Sequence, residues 1–379
     1  MPHRYANFTH MLNQIQSGVE RELRRFASDF RRPPMSAIPR PFADTIAQYI
    51  GRQGKRLRSM LFVLGYRGYS ARPVRNLYKS AASLELLHDF ILVHDDLIDR
   101  ASLRRGGAAM HTALDALLNG QRGLRFKGQD LALIVGDMLY ALAIHSFLSI
   151  KASPLRKQQA LELLTKTALY TGCGELDELL HTLRPLADVT PETIYRIYDW
   201  KTGHYTFSSP LAMGAILGGA RPADVRAFVK IGTELGRAFQ IRDDLLDLYG
   251  QDNRFGKPAL IDLREGKKTL PVWYAYHHCT ADERALLERV LECPGAREEE
   301  LLMVAGIIHR SGAARYATEE MARLVRDAVR KIRKTRMQAK YRDFLIDYAG
   351  RLIQPPDVAV APGPAHADVA ETAAVSVAL

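Results

Sequence analysis

The sequence predicts an all-α protein, a large single-domain helical bundle built around a central cavity. Three observations carry this. Apolar residues recur at helical spacing along most of the chain. The apolar-periodic segments are long, about 20 residues or more. No pair of alternating strands joined by an Asn-Gly or Gly-Gly turn occurs anywhere. Phe8, Leu12, Ile15, Val19, Leu23 and Phe26 step by three and four and line one face of a first helix. Pro33-Pro34 and then Pro39 and Pro41 interrupt it. Gly54-Lys55-Arg56-Leu57-Arg58 opens the next helix. The stretch 76–100 is apolar nearly all round in its middle, as a helix buried in a bundle must be. Further helical segments follow at about 128–151, 156–182, 191–218, 222–249 and 281–346. From residue 354 the chain holds four Pro and eight Ala with no Lys or Arg, so 1–353 forms the domain and 354–379 is expected to be a disordered tail.

The composition is that of a globular protein. The 379 residues are 47% apolar and 25% charged, which excludes collagen-like and wholly disordered classes. Cys173, Cys279 and Cys293 show no paired spacing, against a disulfide framework or zinc ribbon and in favour of a reducing compartment. The N-terminus carries no secretory pattern. The longest apolar run, 131–144, contains Asp137 and is too short to span a bilayer, so no transmembrane segment is expected and a soluble, cytoplasmic location is. Net charge is 53 − 42 = +11. Nine Lys or Arg against one acid lie within 321–342, so most of the excess sits on one segment. No aromatic RNA-binding pattern or zinc-finger spacing accompanies it, and no nucleic-acid partner is expected.

The chemistry lies in an internal echo. Asp-Asp-Leu-Ile-Asp at 95–99 returns as Asp-Asp-Leu-Leu-Asp at 243–247. At this spacing Asp95 and Asp99 share a helix face, as do Asp243 and Asp247, and like charges so placed repel. Both clusters close apolar helices, a setting in which carboxylates need a cation. Oxygen-only ligands favour Mg²⁺, which fills its octahedron with water and phosphate oxygens. The two clusters are expected to face each other across the cavity and to bridge Mg²⁺ to a diphosphate. Basic loops complete the pattern: Lys55 and Arg58 at a helix start, Arg104-Arg105-Gly106-Gly107 after the first cluster, Lys257 and Lys267 after the second. The set fits two diphosphate sites, one bridged by metal and one held by cations alone.

On these residues the chain resembles the trans-type polyprenyl (isoprenyl diphosphate) synthases of the geranylgeranyl and farnesyl kind. The likeness runs in order through GKRLR at 54–58, the acidic cluster and RRGG at 95–107, Lys201-Thr202, FQIRDDLLD at 239–247 and GKPALIDLREGKKTLP at 256–271. The resemblance implies a Mg²⁺-dependent transferase of isoprenoid-synthase fold that joins an allylic diphosphate to isopentenyl diphosphate by ionisation, condensation and proton loss. It further implies Asp95, Asp99, Asp243 and Asp247 around the metal, supported by Asp96 and Asp244. Arg104, Lys201, Lys257 and Lys267 would hold the allylic diphosphate, and Lys55, Arg58, His88 and Arg105 isopentenyl diphosphate. Thr202 and Gln240 would turn oxygens toward the carbocation, and a homodimer is implied. Two departures stand out: Glu175 where Gln is frequent, and Leu260 where Gly is common.

Product length depends on side chains preceding Asp95, namely Leu87, Phe90 and Ile91. Phe90 lies five residues back, about 7.5 Å along the axis. By resemblance, one aromatic there without an insertion points to a C20 product, geranylgeranyl diphosphate, with C15 and C25 or longer as alternatives. A class I terpene cyclase is the main rival, but it needs no GKRLR segment and its second metal motif usually mixes Asn, Ser or Thr with Glu. A His-Asp phosphohydrolase would leave the paired acidic clusters unexplained, and a non-catalytic helical protein would not need them.

Overall fold

The computed structural model describes residues 2–33, 35–72, 74–249 and 260–352, with side chains from His10 onward apart from Ser36. The expected tail and Lys257 lie outside these residues. Helix α1 (Pro2–Asp29) buries Ile15, Val19, Leu23 and Phe26, the stripe the periodicity marks. After α2 (Arg40–Ile50) and α3 (Leu57–Arg67), α4 (Leu77–Ile98) runs through the middle of the molecule. A hairpin of two-residue strands follows, β1 (Leu103–Arg104) and β2 (Gly107–Ala108). Then come α5 (Met110–Leu118), α6 (Gly128–Leu148) and α7 (Pro154–Thr182). Helix α8 (Pro191–Ile197) passes through a π-helical segment (Tyr198–Ser208) into α9 (Ser209–Gly218), and α10 (Pro222–Tyr249) turns back along them. The short α11 (Ile261–Arg264) and α12 (Leu270–His278) lead to α13 (Ala281–Glu292), α14 (Glu298–Arg310), α15 (Ala313–Arg333) and α16 (Ala339–Leu352).

The all-α expectation holds, with two corrections. The hairpin escapes a search for alternating strands because its strands are too short to alternate; Arg105 (φ 51°) and Gly106 (φ 73°) form its turn. The segment 281–346 is four helical pieces, not one helix. It breaks at Cys293–Arg297, which contains Pro294-Gly295, at Gly312 (φ 84°), and before α16. The three cysteines are unpaired. By length and composition α6 could cross a membrane, which the 131–144 run alone does not suggest. Here it packs against α4 and α5.

Four helices position the site. Helix α4 lies between α3 and α6, and α10 lies against the π-helical segment and α15. Helix α10 crosses the π segment too closely for side chains at its glycines: a Cβ on Gly236 would sit 2.4 Å from Cα of Gly203, and one on Gly232 2.3 Å from Cα of Ser208. Nearby, Arg237 clamps Asp199 through two hydrogen bonds of 2.7 and 2.6 Å. Gly236→Ala is expected to cost about 1–3 kcal/mol by overpacking and to slow turnover by shifting Thr202 against Gln240. Gly172→Ala on α7, where a Cβ meets nothing, should do neither. Thermal unfolding and steady-state rates of the two variants check this.

Candidate active site

Helix α4 ends in the first acidic cluster because its apolar sequence stops there: Val93 is buried, Asp95 half-buried, and Asp99 caps the last turn. The hairpin folds back over this end. Arg104 donates from Nε to Asp96 Oδ1 at 2.6 Å and from Nη2 to Asp95 Oδ2 at 3.2 Å. Arg52 holds the hairpin in place by donating to the carbonyls of Arg104 and Ala108. Asp96 is fully buried beneath Arg104, and burial pushes its carboxyl up against the arginine's pull. Asp95 and Asp99 stay on the open side. Burial and the neighbouring Asp95 charge push Asp99 up to about 7.

Opposite them, α7 contributes Glu175 and Glu178 and the π segment contributes Lys201. Lys201 Nζ lies 2.8 Å from Glu175 Oε2 and 3.9 Å from Asp95 Oδ1, and it donates to Glu178. Although desolvation opposes it, these acids hold its ammonium well above the usual lysine range. Carboxylate oxygens of Asp95, Asp99 and Glu175 all lie within 4.8 Å of one another. Glu175 Oε1 is buried and accepts no hydrogen bond. Three converging hard oxygens, one unpartnered, suit a hard divalent cation such as Mg²⁺.

The second cluster is divided by burial. Asp243 is exposed and Asp244 buried. Asp244 accepts from Gln240 Nε2 at 3.0 Å and from the Tyr198 hydroxyl. Tyr198 in turn accepts from the Leu270 backbone N–H at 3.1 Å, tying α10 to the start of α12. Burial, with nearby Asp262 and Asp243, pushes Asp244 well above the ordinary carboxylate range. Thr202 donates to Gln240 Oε1 at 2.8 Å, so Thr202, Gln240, Asp244 and Tyr198 form one chain of hydrogen bonds. Asp247 accepts from the backbone N–H groups of Ile261 and Asp262 at 3.1 and 3.0 Å, which anchors α11. Lys267 reaches Glu265 at 2.6 Å, Asp262 at 3.5 Å and Glu178 at 3.9 Å, so it leans over the same space as Lys201. Its neighbour Lys268 donates to the carbonyls of His181, Thr182 and Arg184 and pins the loop to the end of α7.

A second group of cations lies at the start of α3. Lys55 is exposed. Arg58 donates to Thr206 Oγ1 at 2.9 Å, its guanidinium lies 4.2 Å from the Tyr205 ring centre, and its buried Nε has no partner. The His88 ring lies 5.9 Å from Tyr205, with Nδ1 buried and unpartnered. Burial and the charges of Arg58 and Arg105 hold His88 well below the usual histidine range, so it is neutral at pH 7. Arg105 pairs with the buried Asp89 at 2.9 Å, and Arg56 with the buried Glu85 at 3.5 Å. Arg58 and the neutral His88 thus both lie against the Tyr205 ring, with exposed Lys55 three residues before Arg58.

The polyprenyl synthetase family model matches residues 40–307. The chain belongs to that family. Over 259 residues, 68% of this chain and 73% of the relative, it is 32% identical to a geranylgeranyl diphosphate synthase of Sulfolobus acidocaldarius. It is 32% identical to a geranylfarnesyl diphosphate synthase of Aeropyrum pernix over 79% of this chain and 88% of the relative. An octaprenyl diphosphate synthase of Escherichia coli is 31% identical over 63% of this chain and 67% of the relative. Among solved structures, a Corynebacterium glutamicum geranylgeranyl pyrophosphate synthase, complexed with isoprenyl diphosphate and magnesium, superposes with a TM-score of 0.81 at 24% identity. It covers 90% of this chain and 99% of that one. The protein is therefore a transferase of the short-chain trans-prenyl diphosphate synthase type, and its fold is that of the isoprenyl synthases.

The geometry of this synthase separates residues the motifs leave equivalent. Asp95 and Asp99 are half-buried, whereas Asp96 and Asp244 are sealed from solvent. Glu178, Tyr198 and Asp89 were not singled out from the sequence, because they stand outside the acidic and basic motifs, and Asp262 stands within the 256–271 stretch with no role read for it. Glu175 is visible there only as a departure from the family's Gln. Asp96→Ala, which strips the buried Arg104 of its main partner, is expected to destabilise by about 3 kcal/mol. Asp99→Asn should leave the unfolding temperature unchanged or raised while lowering turnover at least ~100-fold. Calorimetry and rate measurements on both variants test the division.

Proposed function

We propose that this synthase makes geranylgeranyl diphosphate (C20) from isopentenyl diphosphate and an allylic diphosphate. The observation that carries the chemistry is the convergence of Asp95, Asp99 and Glu175 oxygens beside Lys201 and Lys267. Asp95 and Asp99, with Asp243 across the cavity, would hold Mg²⁺. Bound there, Mg²⁺ supplies Lewis-acid stabilisation of the diphosphate charge as the allylic C–O bond ionises. Arg104, Lys201 and Lys267, each close to an acid from which binding would draw it, bind the oxygens of that diphosphate, together with Lys257. Asp247, through its two backbone bonds, holds the loop that carries Lys267. Lys55, Arg58, His88 and Arg105 take isopentenyl diphosphate, with neutral His88 as a hydrogen-bond donor. Thr202 and Gln240 direct oxygen lone pairs at the carbocation, and the released diphosphate takes the proton.

Chain length rests on α4. Ile91 lies one turn before Asp95 on the same face, and Leu87 one turn further, fully buried. Phe90 turns toward α6, with its ring 5.1 Å from Tyr140 and 4.8 Å from His94. An aromatic backed by a second ring makes a firm wall for a C20 chain, and C15 or C25 and longer remain the alternatives. A homodimer through α6 and α7 is part of this reading. Leu169, Leu176, Leu180 and Leu183 form one exposed stripe on α7, beside exposed Leu133 and Ile134 on α6.

Purified protein given isopentenyl diphosphate and dimethylallyl, geranyl or farnesyl diphosphate should yield a Mg²⁺-dependent geranylgeraniol peak after dephosphorylation, and none with chelator. Farnesol or longer alcohols would reject C20, and a cyclic hydrocarbon from one allylic substrate would favour the cyclase. Phe90→Ala should lengthen the product; an unchanged distribution in the folded variant removes Phe90 as the wall. Leu176→Glu with Leu180→Glu should convert a dimer to monomer by light scattering.

A further inference from the structure

Four site helices lie along one direction, with α3 running against α4, α7 and α10. Helix α3 begins beside Lys55 and Arg58 and ends at Arg67; α4 begins at Leu77 and ends at the first acidic cluster. Helices α7 and α10 begin at Pro154 and Pro222 and carry Glu175, Glu178 and Asp243 toward their other ends. Their far ends are knitted into one pole, opposite the diphosphate site. Gln338 N–H donates to Gly68 O at 2.8 Å, and Lys151 N–H to Arg75 O at 3.2 Å. Asn76 donates to Ser149 O at 2.9 Å, and the Tyr69 ring lies 6.0 Å from Phe228.

This pole is strongly basic. Residues 67–76, 148–157, 219–226 and 333–340 together hold twelve Lys or Arg and one acid. The one acid in these stretches, Asp224, is buried and pairs with Arg221, while Asp343 and Asp347 of α16 line a surface pocket beside Arg333. Arg72, Arg75, Lys151, Arg333, Lys334 and Arg336 are all exposed, and among the described residues none has an ion-pair partner. Two large apolar side chains stand among these cations: Leu148 is 43% exposed and Leu155 65%.

We propose that this pole docks the synthase on an anionic phospholipid surface. Exposed cations spread over several turns match a layer of lipid phosphates, and each contributes to adsorption. Leu148 and Leu155 supply the apolar anchors that a lipid interface rewards and a nucleic-acid backbone does not. The orientation suits the reaction. The hydrocarbon chain grows from the acidic site into the bundle, toward this pole, while both diphosphates enter from the opposite, water-facing end. The inference concerns adsorption alone, so it stands whatever the product length.

The test is co-sedimentation of the full chain with vesicles of phosphatidylcholine, pure or with about one third phosphatidylglycerol. Binding to the anionic vesicles only, lost on raising salt from about 0.1 to about 0.5 M, is expected. R333E/K334E/R336E should lower the partition coefficient at least ~100-fold with prenyl transfer from soluble substrates unchanged. Should that variant not fold, K334Q/R336Q should still weaken binding. Leu148→Ser with Leu155→Ser should weaken it further at constant charge. Equal or absent binding on both vesicles, or displacement by duplex DNA at equal phosphate concentration, would overturn the proposal.

Discussion

Carboxylates crowded at the inner ends of packed helices repel one another, and the rest of this site is arranged around that repulsion. Asp95, Asp99, Glu175 and Glu178 come together from two helices in a space with little water, where like charges raise one another's affinity for protons. Asp99, pushed up to about 7, shows the cost directly. Lysine ammonium groups offset it. Lys201 sits among Asp95, Glu175 and Glu178, and Lys267 reaches Glu178 from the other side. Without a divalent cation and a diphosphate, each charge has only its neighbour of opposite sign. With both bound, the lysines can turn to phosphate oxygens and the acids to metal. The groups that balance one another's charge here are the ones the proposed reaction would use.

The scaffold makes this crowding possible by rigidity elsewhere. Asp96, Asp89 and Glu85 are buried carboxylates that pair with Arg104, Arg105 and Arg56. They fix the positions of the arginines, or of the loops that carry them, against α4. The π-helical segment adds a second device. Its widened turn lets Tyr198, Lys201, Thr202, Tyr205 and Thr206 serve three functions within nine residues: bracing Asp244, holding the acids and seating Arg58. Glycines 232 and 236 allow the close crossing that keeps this segment registered on α10.

Much of this was legible in the sequence, for physical reasons. Helices α4, α6, α7 and α10 announce themselves because each is long and buries a face, so periodicity and boundary signals agree. The acidic pairs are legible because a one-turn spacing of like charges at the end of an apolar helix has few uses other than a cation. What periodicity cannot show is which member of each pair faces in. Asp95 and Asp96 are adjacent letters, yet one is half-open and the other sealed under Arg104. Tyr198 and Glu178 carry no motif signal, since their roles arise only when α10 and the π segment cross, or when α7 lies beside α4. The 281–346 error has a different source: strong helix formers on both sides masked the breaks at Pro294-Gly295 and Gly312. The hairpin after α4 was invisible because two residues make no pattern.

The acidic clusters at one end lie among the lysines and arginines that balance them, whereas the far pole is basic. At the acidic end, the central claim is that metal and diphosphate bind as one unit, because Lys201 occupies the acids until a diphosphate draws it away. The most direct measurement is Mn²⁺ binding to the purified chain by electron paramagnetic resonance, with and without inorganic diphosphate. The account predicts weak binding of Mn²⁺ alone and at least tenfold tighter binding with diphosphate present, lost in Asp95→Asn. Equally tight Mn²⁺ binding without diphosphate, or binding untouched by Asp95→Asn, would contradict it.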